Sequence, residues 1–376
     1  MTEDERVLIF ALSDLHFDIK SARRIFDNLK KYFFNELEEN IEEVDAVVIT
    51  GDIFHKKISI DSECAYIVMQ FMHDLIEIMD GKPIRIIKGT RTHDYNQLDI
   101  FKIFETDNVK VVNSVSEEEL VEGLEVCYVP EEYPINFEEY YEDYIFEEEI
   151  EDKWDIIFGH GMIDFAAHSS IVQESERPIH SAPVFKSSSL LNSAVLSIFG
   201  HVHTSQTHKK AIHYVGSFAR EAHGEEKAKG WTKIYYDTDD KSFELERVEN
   251  EDALLFTTIK LSNVYDNELT IKENIKAIKK KLKHIDNLRI KIDIEDDKVN
   301  SDIAIIKEHF SNDGSLKLHK ENIIKREDKK DEDRFEFLKE AKEAPVEDTI
   351  QKFAKEKLNR DIDKEDIKII ISPKSK

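Results

Sequence analysis

The chain has 376 residues, enough for two or three domains that each bury a core. Its two cysteines exclude a disulfide framework and a cysteine-ligated structural zinc site. The polar, acidic start and the lack of a long apolar run predict a soluble, cytoplasmic protein without a membrane partner. The net charge of -27 disfavours broad contact with nucleic acid, but residues 271–376 carry nearly equal numbers of acidic and basic side chains.

Two apolar runs near the start of the chain end in acids and histidines. Residues 7–12 lead into Ser-Asp-Leu-His at 13–16, and residues 47–49 lead into Thr-Gly-Asp-Ile-Phe-His at 50–55. A β-branched run followed by glycine is typical of a buried parallel strand, and α/β sheets place ligand-binding residues at the carboxyl ends of such strands. We therefore predict that Asp14, His16, Asp52 and His55 lie at one edge of a sheet.

Three later runs end in the same way. Residues 84–88 lead into Gly-Thr-Arg-Thr-His-Asp at 89–94, residues 154–158 into Gly159-His160, and residues 195–199 into Gly-His-Val-His at 200–203. A single Asp-x-His or Gly-His is more often structural. Five strand ends that supply carboxylate and imidazole groups in this order favour a metal site instead.

The intervening segments predict helices. Residues 21–40 have helical spacing with Ser21 as N-cap, residues 59–80 repeat that design, and residues 96–105 form a short helix. Later strands near 109–112, 125–129, 212–215 and 232–236 indicate a second sheet packed on the first, so we expect a β-sandwich flanked by helices.

From about residue 253 the pattern restarts as strand, helix, strand, helix, strand, and a charged run at 325–334 precedes two further helices. We predict three parts. They are a catalytic domain at 1–250, a small α/β domain at 251–324, and a linker with docking helices at 325–376.

The order of motifs resembles the calcineurin-like metallophosphoesterases. His55, three residues after Asp52, narrows the resemblance to SbcD-like nucleases of double-strand-break repair and their phage recombination-exonuclease relatives, and residues 214–230 are similar to the segment that follows the last metal motif there. The resemblance implies a metallophosphoesterase β-sandwich, a capping domain that recognises DNA, and C-terminal helices that dock on an SbcC-like coiled-coil ATPase. A phage-encoded chain would act in the host cytoplasm.

The resemblance also implies two divalent metal ions. Metal one would take Asp14, His16, Asp52 and His203. Metal two would take Asp52, His160, His201 and the region of Thr92, where the family's Gly-Asn-His-Asp motif has its asparagine. Mixed carboxylate and imidazole ligands suit Mn²⁺, with Mg²⁺ or Fe²⁺ as alternatives.

Three further roles follow by resemblance. His93 would be the transition-state histidine, with its tautomer set by Asp94. His55 would position the DNA strand or make a supporting hydrogen bond. Arg91 has no family counterpart, and it could bind a phosphate or an acidic loop.

The predicted activity is a nuclease, exonucleolytic on duplex ends and endonucleolytic on single strands, whose ATP dependence would come from the partner because the chain has no P-loop. DNA contacts are predicted at Lys276, Lys279, Lys280 and Lys283, although an ordinary solvated helix has the same pattern. The alternatives are a phosphomonoesterase or small-molecule phosphodiesterase, and a non-catalytic subunit that binds DNA ends. The oligomeric state stays open, a homodimer included.

Overall fold

The computed structural model describes residues 6–18, 21–94, 96–134, 140–141, 153–167, 169, 182–220, 222–223, 225–282, 287–291, 297–310 and 316–319. Residues 1–319 form one compact unit, to which all of these belong. The docking helices predicted beyond residue 325 lie outside the described residues. The predicted domain boundaries at 250 and 324 stay predictions.

Fourteen strands make up the larger part of this unit. In chain order they are β1 (Arg6–Leu12), β2 (Val44–Ile49), β3 (Ile84–Ile87), β4 (Val109–Val112), β5 (Ser116–Val121), β6 (Leu124–Val129), β7 (Trp154–His160), β8 (Met162–Ile163), β9 (Val184–Phe185), β10 (Ala194–Gly200), β11 (Gln206–His208), β12 (Ile212–Tyr214), β13 (Gly230–Asp237) and β14 (Phe243–Glu249). One six-stranded sheet has the order β14-β13-β1-β2-β3-β4, and the other has the order β11-β12-β10-β7-β6-β5. Strands β8 and β9 form a small separate pair.

The two large sheets pack face to face, because their central strands are apolar on both sides. In β1, Leu8 and Phe10 face helices on the outside of the first sheet, whereas Val7 and Ile9 face the second sheet. Successive side chains of a strand point to opposite faces, so one strand serves two cores. This arrangement confirms the predicted β-sandwich flanked by helices. The prediction that residues 109–112 and 232–236 belong to the second sheet is wrong, because they form β4 and β13, which pair with β3 and β1 of the first sheet.

Helices cover the outer faces. They are α1 (Ala22–Asn28), continued by a π-helical turn (Leu29–Phe34) and α2 (Asn35–Glu39), then α3 (Glu63–Met79), a 3-10 helix (Gln97–Phe104), α4 (Asp164–Ala167) and α5 (Ser187–Ser193). Ser21 is the N-cap residue of α1, as predicted, although its side chain makes no cap hydrogen bond. In α3 the cap is Ser62, whose hydroxyl accepts from the Ala65 N–H at 3.2 Å.

The small α/β part has the predicted order of elements. Parallel strands β15 (Phe256–Lys260), β16 (Asn287–Lys291) and β17 (Leu316–His319) alternate with α6 (Ile271–Leu282) and α7 (Asp297–Phe310). Ile278 of α6 and Ile306 of α7 are buried. Among the helices of the described residues, none combines the length and apolar character that a membrane crossing requires.

Candidate metal centre

The site forms where strands of both sheets end at a common edge. Loops after β1, β2 and β3 come from one sheet, and the ends of β7 and β10 come from the other. Two backbone bonds tie the first loops together, from Asp14 N–H to the Gly51 carbonyl at 3.1 Å and from His16 N–H to the Asp52 carbonyl at 3.0 Å. Parallel strands deliver their carboxyl ends to the same edge, which brings residues distant in sequence into contact.

The backbone here is held in an uncommon conformation. Asp14, His16 and Asp52 have φ angles of 49°, 50° and 54°, and His201 has 96°. Left-handed backbone is costly for residues other than glycine and tends to collect at functional sites. The hydrogen bonds between these loops therefore hold Asp14, His16 and Asp52 in a backbone conformation that directs their side chains differently from those of an extended strand.

One ligand group contains Asp14, His16 and His203, whose ligand atoms lie within 4.8 Å of one another. The Nε2 atoms of His16 and His203 are 2.9 Å apart, and each lies 3.9 to 4.0 Å from Asp14 Oδ1. Burial, followed by the neighbouring His203, lowers the pKa of His16 well below its usual value. His16 therefore stays neutral and keeps a lone pair for a metal ion.

A second group contains Asp52, His160 and His201. His160 donates its Nδ1–H to the Thr50 carbonyl at 2.6 Å, which leaves Nε2 3.4 Å from Asp52 Oδ2. Burial alone would raise the pKa of Asp52, but His160, together with His93 and His16, brings it well below the usual range. The same Oδ2 lies 4.0 Å from His16 Nε2, so the ionised Asp52 stands between the two groups.

The loop after β3 differs from its prediction. The Thr90 hydroxyl lies 3.1 Å from Asp52 Oδ2, 3.2 Å from His160 Nε2 and 3.3 Å from His201 Nδ1, whereas Thr92 is exposed. The prediction that Thr92 takes the asparagine's place is therefore wrong, and Thr90 has that place. The two additional residues form a turn after Thr90, whose carbonyl accepts from the N–H groups of His93 and Asp94.

Asp94 also has a different role from the one predicted. Its carboxylate accepts from the backbone N–H groups of Gly89, Asp52 and Phe54 at 2.8, 3.0 and 3.2 Å. His93 instead donates its Nδ1–H to the His55 carbonyl. The prediction that Asp94 sets the His93 tautomer is therefore wrong, because a backbone carbonyl does so and Asp94 joins the loops.

The structure adds a pair that sequence reasoning did not identify. Glu225 Oε1 accepts from His203 Nδ1–H at 3.0 Å, and Glu225 Oε2 pairs with Lys229 Nζ at 3.0 Å. Burial would raise the pKa of Glu225, but His203 and then Lys229 bring it to about 2. The similarity of residues 214–230 to a nuclease segment was the available signal, but spacing alone does not show which histidine Glu225 meets.

These residues fit divalent metal ions. Asp14, Asp52, His16 and His160 are almost fully buried, and no described Lys or Arg pairs with either carboxylate. Buried carboxylates need a cation, and two imidazole nitrogens 2.9 Å apart need a proton or a metal between them. Carboxylate and imidazole donors without thiolate are a ligand set for Mn²⁺, Mg²⁺ or Fe²⁺.

The residues predicted to contact DNA are not members of the two ligand groups. Arg91 is exposed, and its guanidinium carbon lies 6.0 Å from the centre of the Tyr133 ring. Lys276, Lys279 and Lys280 are exposed on α6. Lys283 lies outside the described residues.

Several solved structures resemble this chain. A predicted phosphoesterase from Streptococcus pneumoniae is 14% identical, covers 66% of this chain and 92% of its own, and has a TM-score of 0.27. A Thermus thermophilus protein is 13% identical with 64% and 98% covered and a TM-score of 0.36. A dimetal phosphatase from Danio rerio is 10% identical with 65% and 96% covered and a TM-score of 0.39.

No curated protein matches this chain significantly. The family model described as calcineurin-like phosphoesterase matches residues 7–205, which span the loops after β1, β2, β3, β7 and β10. That match covers more than half of the chain and every ligand candidate described above. The chain therefore belongs to the calcineurin-like phosphoesterases, a family of metal-dependent hydrolases with a dimetal centre.

Proposed function

We propose that this phosphoesterase is a metal-dependent DNA nuclease that acts in recombination, repair or replication. The observation that carries the proposal is the position of His55, whose ring centre lies 5.7 Å from those of both His16 and His93. Ligand nitrogens of the three rings lie within 4.8 Å of one another. This group contains no carboxylate, so it suits a phosphate oxygen better than a third cation. A histidine beside His16 and His93 would hold the strand that enters the metal centre.

The chemistry of phosphodiester hydrolysis divides between the metals and the side chains. Two bound divalent ions would acidify a water molecule and neutralise charge on the phosphoryl oxygens. Asp52 lies between the two ligand groups and would hold both ions. His93 has Nδ1 committed to the His55 carbonyl, so its contact with the phosphate or the leaving oxygen would run through Nε2.

The substrate and partner belong to the same proposal. Exposed lysines on α6 and the exposed Arg91 would contact phosphates of the DNA. Residues 325–376 would dock on an SbcC-like coiled-coil ATPase, which would supply the ATP dependence that a chain without a P-loop lacks. Mn²⁺ is the metal we expect.

Parallel hydrolysis assays test the proposal. Linear duplex DNA, bis-p-nitrophenyl phosphate and p-nitrophenyl phosphate would each be incubated with Mn²⁺, with Mg²⁺ and with chelator. We expect degradation of DNA that needs the metal. Asp52→Asn should reduce it to a few per cent or less, because the bridging carboxylate is lost, whereas the exposed control Asp107→Asn should keep full activity.

Two other results would contradict the nuclease. Hydrolysis restricted to the small esters would identify a phosphomonoesterase or small-molecule phosphodiesterase on the same metal core. Binding of DNA ends without hydrolysis of any substrate would identify a non-catalytic subunit.

A further inference from the structure

Glu131 is a buried acid at the same edge as the metal ligands. It follows β6 and Pro130, just as His160 and His201 stand at the ends of the neighbouring strands β7 and β10. Its backbone N–H donates to the Lys88 carbonyl at 3.2 Å, at the start of the loop that carries Thr90. Glu131 is only 2% exposed.

Its two carboxylate oxygens have different neighbours. Oε1 accepts a hydrogen bond from the Tyr133 hydroxyl. Oε2 lies 3.5 Å from His201 Nδ1. No described Lys or Arg forms an ion pair with Glu131, and a buried carboxylate is costly without a cation. A positive charge beside Oε2, the carboxylate oxygen that faces His201, would therefore stabilise Glu131.

The distances from the Thr90 hydroxyl to its neighbours indicate where a cation would bind beside Glu131. Its hydroxyl lies 3.1 to 3.3 Å from one atom each of Asp52, His160 and His201. Adjacent ligand atoms around an octahedral ion with bonds of about 2.1 Å lie about 3 Å apart. The 3.5 Å between Glu131 Oε2 and His201 Nδ1 is close to that spacing. A neutral hydroxyl is a weaker ligand than the amide oxygen expected at this place, so the group lacks one strong oxygen donor.

We propose that Glu131 supplies this donor and is a ligand of the second metal, beside Asp52, His160 and His201. The inference rests on the two-metal centre of the proposed function. Tyr133 orients the carboxylate through Oε1, and Arg91 of the lengthened loop lies over the Tyr133 ring. The lengthened loop, which has Thr90 where the family has an asparagine, therefore also contacts Tyr133 through Arg91. Tyr133 is the residue that orients Glu131.

Metal binding tests this directly, without an activity measurement. Mn²⁺ would be titrated into the full-length parent and into Glu131→Gln by calorimetry, and the exchange-coupled Mn²⁺ pair would be followed by electron paramagnetic resonance. We expect two Mn²⁺ per parent chain. The variant should keep the first site, bind the second Mn²⁺ about tenfold or more weakly, and lose the coupled signal. Thr90→Asn in the Glu131→Gln background should restore the second site by returning an amide oxygen.

The matched control is Glu132→Gln, the same change at the next residue, whose carboxylate bonds to the Val115 N–H and the Tyr140 hydroxyl instead. It should bind both ions like the parent. Tyr133→Phe keeps the carboxylate and removes only its hydroxyl partner, so a smaller loss of second-site affinity is expected even if Glu131→Gln folds poorly.

Three outcomes would overturn the inference while the two-metal function stands. They are parental binding of both ions by Glu131→Gln, equal weakening of both sites, and failure of Thr90→Asn to restore the second. A parent chain that binds fewer than two Mn²⁺ would instead overturn the proposed function and this inference with it.

Discussion

Lys229 is 1% exposed, which is rare for a lysine, and its ammonium group is bonded to several described residues. It pairs with Glu225 and donates to the His203 carbonyl at 3.0 Å and to the Ser217 hydroxyl at 2.7 Å. Glu225 in turn accepts from His203 Nδ1–H, so His203 presents Nε2 to Asp14 and His16. A carboxylate behind a ligating histidine fixes its tautomer and orientation.

We predict that Glu225→Gln weakens Mn²⁺ binding at the Asp14 group about 10- to 100-fold, because the charge behind His203 is lost. It should also destabilise the fold, because Lys229 keeps a buried charge without its acid. Adding Lys229→Met should recover stability but not affinity. Calorimetric titration and thermal unfolding measure both effects. The exposed neighbour Glu226 gives the control Glu226→Gln, and parental affinity in Glu225→Gln would contradict the role.

His213 joins the two sheets and predicts a pH effect on stability. Its ring contacts the Thr207 hydroxyl at 2.9 Å through Nδ1 and the Thr232 hydroxyl at 3.0 Å through Nε2. Burial, and then Arg247, lowers the pKa of His213 to about 3. The unfolded chain takes up this proton below its ordinary pKa of 6.5, so the stability that His213 contributes above that pH is lost as the pH falls towards 3.

Between pH 7 and 5 this loss should reach about 2 kcal/mol. His213→Gln cannot take up the proton, so its free energy of unfolding should fall less over this range. Urea denaturation at several pH values measures the difference. His73→Gln, at an exposed histidine, should keep the parental slope, and equal slopes for the parent and His213→Gln would refute the assignment.

Because the chain carries a net charge of -27, we expect DNA to bind where lysines are concentrated, on helix α6. Ile278 is buried while Lys276, Lys279 and Lys280 are exposed, which is the predicted amphipathic arrangement. Changing these three lysines to Gln should weaken duplex binding and lower its salt slope by up to about three, since each phosphate contact adds close to one. Fluorescence anisotropy between low and moderate salt measures both quantities.

Hydrolysis of a small phosphodiester by the same variant should be unchanged, because α6 contributes none of the metal ligands. A charge-matched control changes the exposed Lys102, Lys209 and Lys210 to Gln. If both triple variants bind DNA alike, net charge and not the α6 surface governs binding.

We expect residues 325–376 to contact the proposed SbcC-like ATPase partner. Their apolar positions follow a charged linker and are too few for a core of their own, which is typical of a docking segment. These positions are Phe335, Leu338, Ile350, Phe353, Ala354 and Leu358. A chain that ends before Lys325 should no longer co-purify with a co-expressed SbcC-like ATPase, yet should retain metal-dependent hydrolysis. Retained co-purification would locate the partner surface elsewhere.

Much of the fold and the identity of most ligand candidates could be predicted from the sequence. An apolar run predicts a buried strand, and the Asp-x-His, Gly-Asp or Gly-His that follows it predicts the end of that strand. Both predictions depend only on residues that are neighbours in sequence. Because the carboxyl ends of parallel strands share an edge, Asp14 and Asp52 could be expected to meet without knowledge of their contacts, whereas His160 reaches them from the other sheet. The two-layered sandwich follows from the same runs, which are apolar on both faces.

Which atoms of the loops face each other depends on tertiary packing, and the sequence alone does not predict it. Thr90 and Thr92 have the same side chain two residues apart, and the turn at 90–94 determines which one enters the site. Asp94 follows His93 directly, but its carboxylate bonds to amides more than thirty residues away in sequence. Glu131 and Glu225 meet His201 and His203 across sheets and loops. Such contacts depend on packing between distant segments, which hydrophobic periodicity does not encode.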